Sequence, residues 1–260
     1  MKKLCLALLL LVAALAPALM FAQKTEGEIT YTETVKLKID IPDGPNAEEM
    51  RKMLPSEQKA QKSLFFNEKE SLYTDAAGQK APDDVEVNGN DGEGDVQMNI
   101  KMQRPENKKY RDIEGGKSIE SQEFFGRFFL ISEEPKKLKW KVGKEQKTIA
   151  GYACQKAVLQ DTTRKVEAWF TTAIPVAIGP GEFGDLPGII LELSIADGDR
   201  TVVADKVELK KLDAKTIEKP TKGKAVTREE FKKIRDETMK EMGAEDGGGG
   251  GGMMKVIIKH

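Results

Sequence analysis

Reactive side chains are scarce in this chain, which holds one histidine, His260, and two cysteines, Cys5 and Cys154. A lone histidine set beyond a glycine run argues against Ser-His-Asp hydrolysis, a Cys-His nucleophile and His-ligated zinc. A thiolate needs a nearby cation or helix N-terminus. Cys154 shares a strand face with Tyr152 and reads as a core residue, with a redox or metal-ligating thiol as the alternative. Asn88, Asn90, Asp91, Glu93 and Asp95, spaced by glycines, are the oxygen donors calcium prefers. They lack the register of an EF-hand loop and read as a solvated acidic stretch. The 43 acidic side chains are enough to supply a glycosidase-type carboxylate pair, but their scatter singles out none.

Two further segments invite a site reading. Residues 179–184 spell G-x-G-x-x-G, but dinucleotide binding requires a helix to open at those glycines. Leu186-Pro187-Gly188 and a β-branched run follow instead. This tripeptide reads as a structural motif, a type II turn in which Pro187 presets φ and Gly188 supplies φ > 0. A turn needs no side chain at Asp185, so Asp185→Gly is expected to be tolerated. Phe124, Phe125, Phe128 and Phe129 form the densest aromatic cluster and are a candidate apolar groove inside a curled sheet.

The elements that must position these residues are mostly strands. Residues 26–40 alternate apolar and polar over a long half-buried strand. Glu33 breaks the apolar face and suggests an edge or a partly covered end. A short helix is expected at 46–53, a hairpin across 63–74, and a mobile loop over 76–95. Alternation resumes at Val96, and further strands are expected at 138–142, 148–159, 165–172, 189–196 and 201–209. Thr227 and Glu230 form a capping box for a helix that Gly243 ends. The pattern specifies an all-β-dominated fold, a curled antiparallel sheet forming an open half-barrel with one or two helices.

The ends of the chain bear on compartment. Lys2, Lys3 and the uncharged run Leu4–Leu19 have the layout of a secretory signal peptide over residues 1–22, cut before Gln23. One domain is expected over 23–243, followed by a glycine tether and short terminal strand at 244–260. Loss of Lys2 and Lys3 leaves 40 basic against 43 acidic groups, and no basic stretch interleaves with aromatics. No nucleic-acid partner is therefore expected.

Trp140, Thr148–Ala157, Ala168-Trp-Phe-Thr-Thr172, Ile174-Pro175, Gly179-Pro180 and Phe183–Ile190 occur in order and resemble the GLPGLI family of exported proteins of Gram-negative bacteria. Asp185 and Ile189 depart from its name motif. The resemblance implies export to the periplasm or outer membrane and a lipoprotein-carrier-like fold, without an established activity. On this reading the chain is not an enzyme and takes no cofactor. It binds an apolar ligand or a partner protein of the cell envelope. The alternative is a hydrolase or metal-handling protein using carboxylates or Cys154.

Overall fold

Alternation in the first strand sets the pattern for the whole sheet. In β1 (Gly27–Lys36) Ile29, Tyr31 and Glu33 are buried, while Thr30, Thr32 and Thr34 are only half covered. The computed structural model describes residues 25–39, 55–78, 85–90, 95–100, 106–160, 164–245 and 256–257, with Glu48 and Lys52 besides. The signal peptide expected over residues 1–22 lies outside these residues. So does the expected helix at 46–53, except that Glu48 and Lys52 are helical.

After β1 come β2 (Lys38–Ile39), β3 (Glu57–Phe66), β4 (Glu70–Asp75), β5 (Val85–Asn90) and β6 (Asp95–Ile100). Next are β7 (Asn107–Asp112), β8 (Lys117–Phe124), β9 (Arg127–Glu133), β10 (Trp140–Ile149) and β11 (Tyr152–Leu159). The chain continues through β12 (Val166–Thr171), β13 (Ile189–Ile195), β14 (Arg200–Glu208) and β15 (Lys224–Val226). It ends with helix α1 (Arg228–Glu245) and β16 (Val256–Ile257), which pairs with β2. The main sheet has twelve strands in the order β10-β11-β12-β13-β14-β1-β3-β4-β7-β8-β9-β15. All its pairings are antiparallel except β15 on β9, and the sheet stays open.

Three expectations about the sheet are revised here. Glu33 lies on a central strand, not at an edge, because Arg200 from the neighbouring β14 neutralises it at 3.0 Å. Residues 85–90, expected as loop, form β5 and pair with β6 as a hairpin. The expected strand 148–159 is broken at Ala150-Gly151, whose φ angles of 47° and 84° make the tight turn between β10 and β11. The capping box forms as expected: Thr227 N donates to Glu230 Oε2 at 2.7 Å, and Glu230 N donates to Thr227 Oγ1 at 3.1 Å. The helix itself runs on past Gly243.

Residues 172–188, between β12 and β13, turn one side onto the core inside the curl and the other to solvent. Ile174, Val176, Ile178, Phe183 and Leu186 are buried there against Phe170, Ile190 and Leu191. Burying side chains of this size stabilises by about 1.5–3 kcal/mol each. The inner face at this end of the sheet is therefore filled by the chain's own residues. Asp185 shows how far the sheet curls. It accepts from Leu138 N, just before β10, at 2.9 Å and pairs with Arg111 of β7 at 3.4 Å. Seven strands separate β10 from β7 in the sheet order, and one carboxylate bridges them.

Candidate functional site

Cross-strand partners share a sheet face, so register locates the inner surface. One row runs Ile29, Leu64, Tyr73, Lys109, Glu120, Ile131 across β1, β3, β4, β7, β8 and β9. The next runs Phe66, Ser71, Arg111, Ser118, Glu133. Both rows begin apolar and turn polar at β4–β8. Beyond them Phe231 of α1 closes over Phe129 and Ile131. A charged floor thus lies between the filled end of the curl and the helix.

Its centre is a pair of carboxylates held by two cations. Arg228 Nη2 donates to Glu120 Oε2 and to Glu133 Oε1, both at 2.7 Å, and its Nε donates to Glu133 Oε2 at 3.2 Å. Lys109 Nζ lies 3.5 Å from Glu120 and 3.8 Å from Glu133, and Asn107 donates to Glu120 at 3.0 Å. Burial pushes the Glu120 carboxyl upward, but the Lys109 and Arg228 charges overcome it and hold the group below the ordinary carboxylate range. Glu133 shifts downward for the same reason, with the Arg228 hydrogen bonds outweighing its burial. Both groups therefore stay ionised near neutrality. They accept hydrogen bonds and can act as bases, but they have no proton to donate. The side chains of Glu120 and Lys109 are 8% and 12% exposed, those of Glu133 and Arg228 32% and 35%, so the cluster opens at its helix end.

Two more polar groups extend the floor. Tyr73 Oη donates to Glu33 Oε2 at 3.3 Å, and Tyr31 Oη donates to the Ile190 carbonyl at 2.7 Å. Burial, followed by the Glu33 charge, raises the Tyr73 phenol well above its usual range. Among the described residues, Arg111 Nη1 and Ser118 Oγ are buried without a hydrogen-bond partner in the protein, and they are direct cross-strand neighbours.

The residues singled out in the sequence lie elsewhere. The four phenylalanines do not line one groove. Phe129 is buried under Phe231, Phe124 leans on the same ring, Lys222 sits 3.2 Å from the Phe128 ring centroid, and Phe125 is exposed. Leu186 is buried in the main core, and Pro187 lies beside it in the bend leading to β13. Gly188 does not take a positive φ; the left-handed residue of this segment is Asp185, at φ 64°. Gly188 is required by crowding instead, since a Cβ there would collide with the Thr171 carbonyl. Asp185 is likewise not dispensable, because its carboxylate makes the clasp to Leu138 and Arg111.

Across 179–184 no helix opens; Ile178 and Gly184 form a β-bridge, with Phe183 buried and Glu182 exposed. Cys154 is 2% exposed, and burial pushes its thiol up to about 11. Of the acidic stretch, Asn88, Asn90 and Asp95 belong to the β5–β6 hairpin; Asp91 and Glu93 lie outside the described residues. No cluster of three potential metal ligands occurs among the described residues.

Residues 128–233, less than half of the chain, match the family described as N-glycanase peptide, N-terminal domain. Two solved structures of PNGF-II are also similar. The form in space group P21 is 17% identical with a TM-score of 0.49, covering 81% of this chain and 33% of that one. The C2 form is 16% identical with a TM-score of 0.47, covering 79% and 32%. This chain thus spans about a third of the length of those structures. No curated protein matches the sequence.

These findings correct the family and the function expected from sequence. The 140–190 segment that carried the GLPGLI resemblance lies wholly within the N-glycanase match. The expectation of a non-enzymatic carrier of apolar ligands falls with it: the match is to a glycanase domain, and the apolar interior is occupied by 172–188. Sequence reading missed Lys109, Glu120, Glu133 and Arg228. The available signal was phase: Lys109 and Arg111, then Ser118 and Glu120, repeat with period two in segments not recognised as strands.

Proposed function

We propose that the protein works in the removal of N-linked glycans, as an N-glycanase-type domain whose charged inner face engages the glycosylated peptide. One observation carries this reading: Glu133 and Arg228, the two more exposed members of the charged cluster, fall within the span matched to the N-glycanase N-terminal domain, while Lys109 and Glu120 stand just before it on β7 and β8. A glycan presents many hydroxyls, each both a donor and an acceptor. Ionised Glu120 and Glu133 accept from them, and the Arg228 and Lys109 N–H groups donate to them. The more exposed helix end of the cluster gives the ligand its approach. Export directed by residues 1–22 is part of the proposal, and a mature protein whose intact mass begins at Gln23 would support it.

The test is calorimetric titration of the purified chain with an Asn-linked glycopeptide and with the same peptide lacking the glycan. The reading expects binding of the glycosylated form, weakened in Glu133→Gln, whose partly exposed position leaves the fold intact. Equal binding of both peptides, or of neither, would overturn it.

A further inference from the structure

The hairpin between β8 and β9 turns on Phe125 and Gly126, with φ angles of 48° and 71°. Two consecutive positive φ values define the turn that suits the twist of a β-hairpin, and Asn-Gly is its favoured sequence. Gly126 fits its position. Phe125 does not, because a bulky side chain in the left-handed region is strained. The ring gains little from burial in return: at 52% exposure Phe125 is, with Val142, one of two exposed large apolar side chains among the described residues. Asn would suit this turn better, so the exposed ring points to a role beyond the turn itself.

The ring is also held in place. Phe124 meets it edge-on, with centroids 4.7 Å apart and planes at 81°. Phe124 is braced by Phe231 of α1 at 6.0 Å, and Phe231 packs on Phe129 at 5.2 Å. This aromatic ladder runs from the core to the tip and fixes the outermost ring before any ligand arrives, which lowers the ordering cost of binding. Beside it stands Arg127, exposed and directly across from Phe124. A single ring flanked by charge is too small and too polar in its surroundings to be a lipid or protein-core surface. It suits a ligand with an apolar face and a polar rim, which describes a pyranose: C–H groups on one face and hydroxyls around the edge.

We infer that the β8–β9 hairpin tip is a carbohydrate contact, in which Phe125 stacks on a pyranose ring and Arg127 donates to its hydroxyls. This rests on the glycan-directed reading above and gives it a second contact, on the tip of the strands that form the charged floor.

The experiment compares wild type with Phe125→Asn and Phe125→Gly in two measurements: urea unfolding, and calorimetric titration with the Asn-linked glycopeptide and its unglycosylated counterpart. Both variants are expected to unfold at or above the wild-type midpoint, since each suits the turn, while glycopeptide affinity falls about five- to tenfold. Phe125→Trp should retain affinity. Wild-type affinity in both Asn and Gly variants would overturn the stacking contact and leave the glycan reading standing. Absence of glycopeptide binding by wild type would sink that reading and the contact together. A matching loss of affinity for the unglycosylated peptide would assign the ring to polypeptide and overturn the carbohydrate contact. Marked destabilisation of both variants would show that Phe125 serves the fold.

Discussion

Asp185 gives the sharpest test of how the curl is held. Its carboxylate accepts a hydrogen bond from Leu138 N at 2.9 Å, a charged interaction of about 1.5–3 kcal/mol. The Arg111 pair at 3.4 Å, between partly exposed side chains, adds about 0.5–1 kcal/mol. Asp185 also sits at φ 64°, where glycine is more comfortable by about 1 kcal/mol. Asp185→Gly should therefore lose the clasp but recover the strain, for a net destabilisation of about 1–3 kcal/mol. Asp185→Ala loses the clasp and keeps the strain, so it should cost about 2–4 kcal/mol. Asn keeps an acceptor oxygen and tolerates the left-handed region, so Asp185→Asn should cost least, about 1 kcal/mol. Urea unfolding followed by tryptophan emission suits the measurement, because Trp140 Nε1 donates to the Gly184 carbonyl at 2.8 Å, next to the clasp. An Asp185→Gly protein with the wild-type midpoint would refute the clasp and the bridging of β7 to β10 through it.

Three other outcomes follow from the same geometry. Gly188→Ala should destabilise by about 1–3 kcal/mol through overpacking against the Thr171 backbone, read as a lower denaturation midpoint, although Gly188 has no positive φ. Cys154, with its thiol pushed up to about 11 by burial, should resist a thiol reagent at pH 8 until urea unfolds the chain; rapid native labelling would contradict its burial. The folded-state pKa values of Glu120 and Glu133 are depressed, so the stability they contribute is present above the unfolded value near 4.3 and is lost as pH falls through the folded values. Urea midpoints measured from pH 6 down to pH 3 should therefore fall less steeply in Glu120→Gln than in wild type.

Periodicity made much of the sheet legible. The alternation of residues 26–40, the hairpin across 63–74, and the Thr227–Glu230 cap all act through near neighbours. What sequence hid depends on distant partners. Glu33 looked like an edge residue because its counter-charge, Arg200, arrives from the far end of the chain on β14. Asp185 looked dispensable because Leu138 and Arg111 become its partners only when the sheet curls. In residues 107–133 the dense aromatics mask the period-two phase of three strands, β7, β8 and β9, and with it the carboxylate pair. The Gly188 turn was inferred from Pro-Gly chemistry, but backbone crowding at Thr171 governs that position.

Hydrogen exchange tests the central claim most directly, because it locates the ligand on the fold. Amides of the chain should be compared with and without a saturating Asn-linked glycopeptide. The account predicts slowed exchange in β7, β8 and β9 and in the first turn of α1, around Lys109, Glu120, Glu133 and Arg228, with none from the unglycosylated peptide. Protection confined to β10–β13, or unchanged exchange throughout, would contradict it.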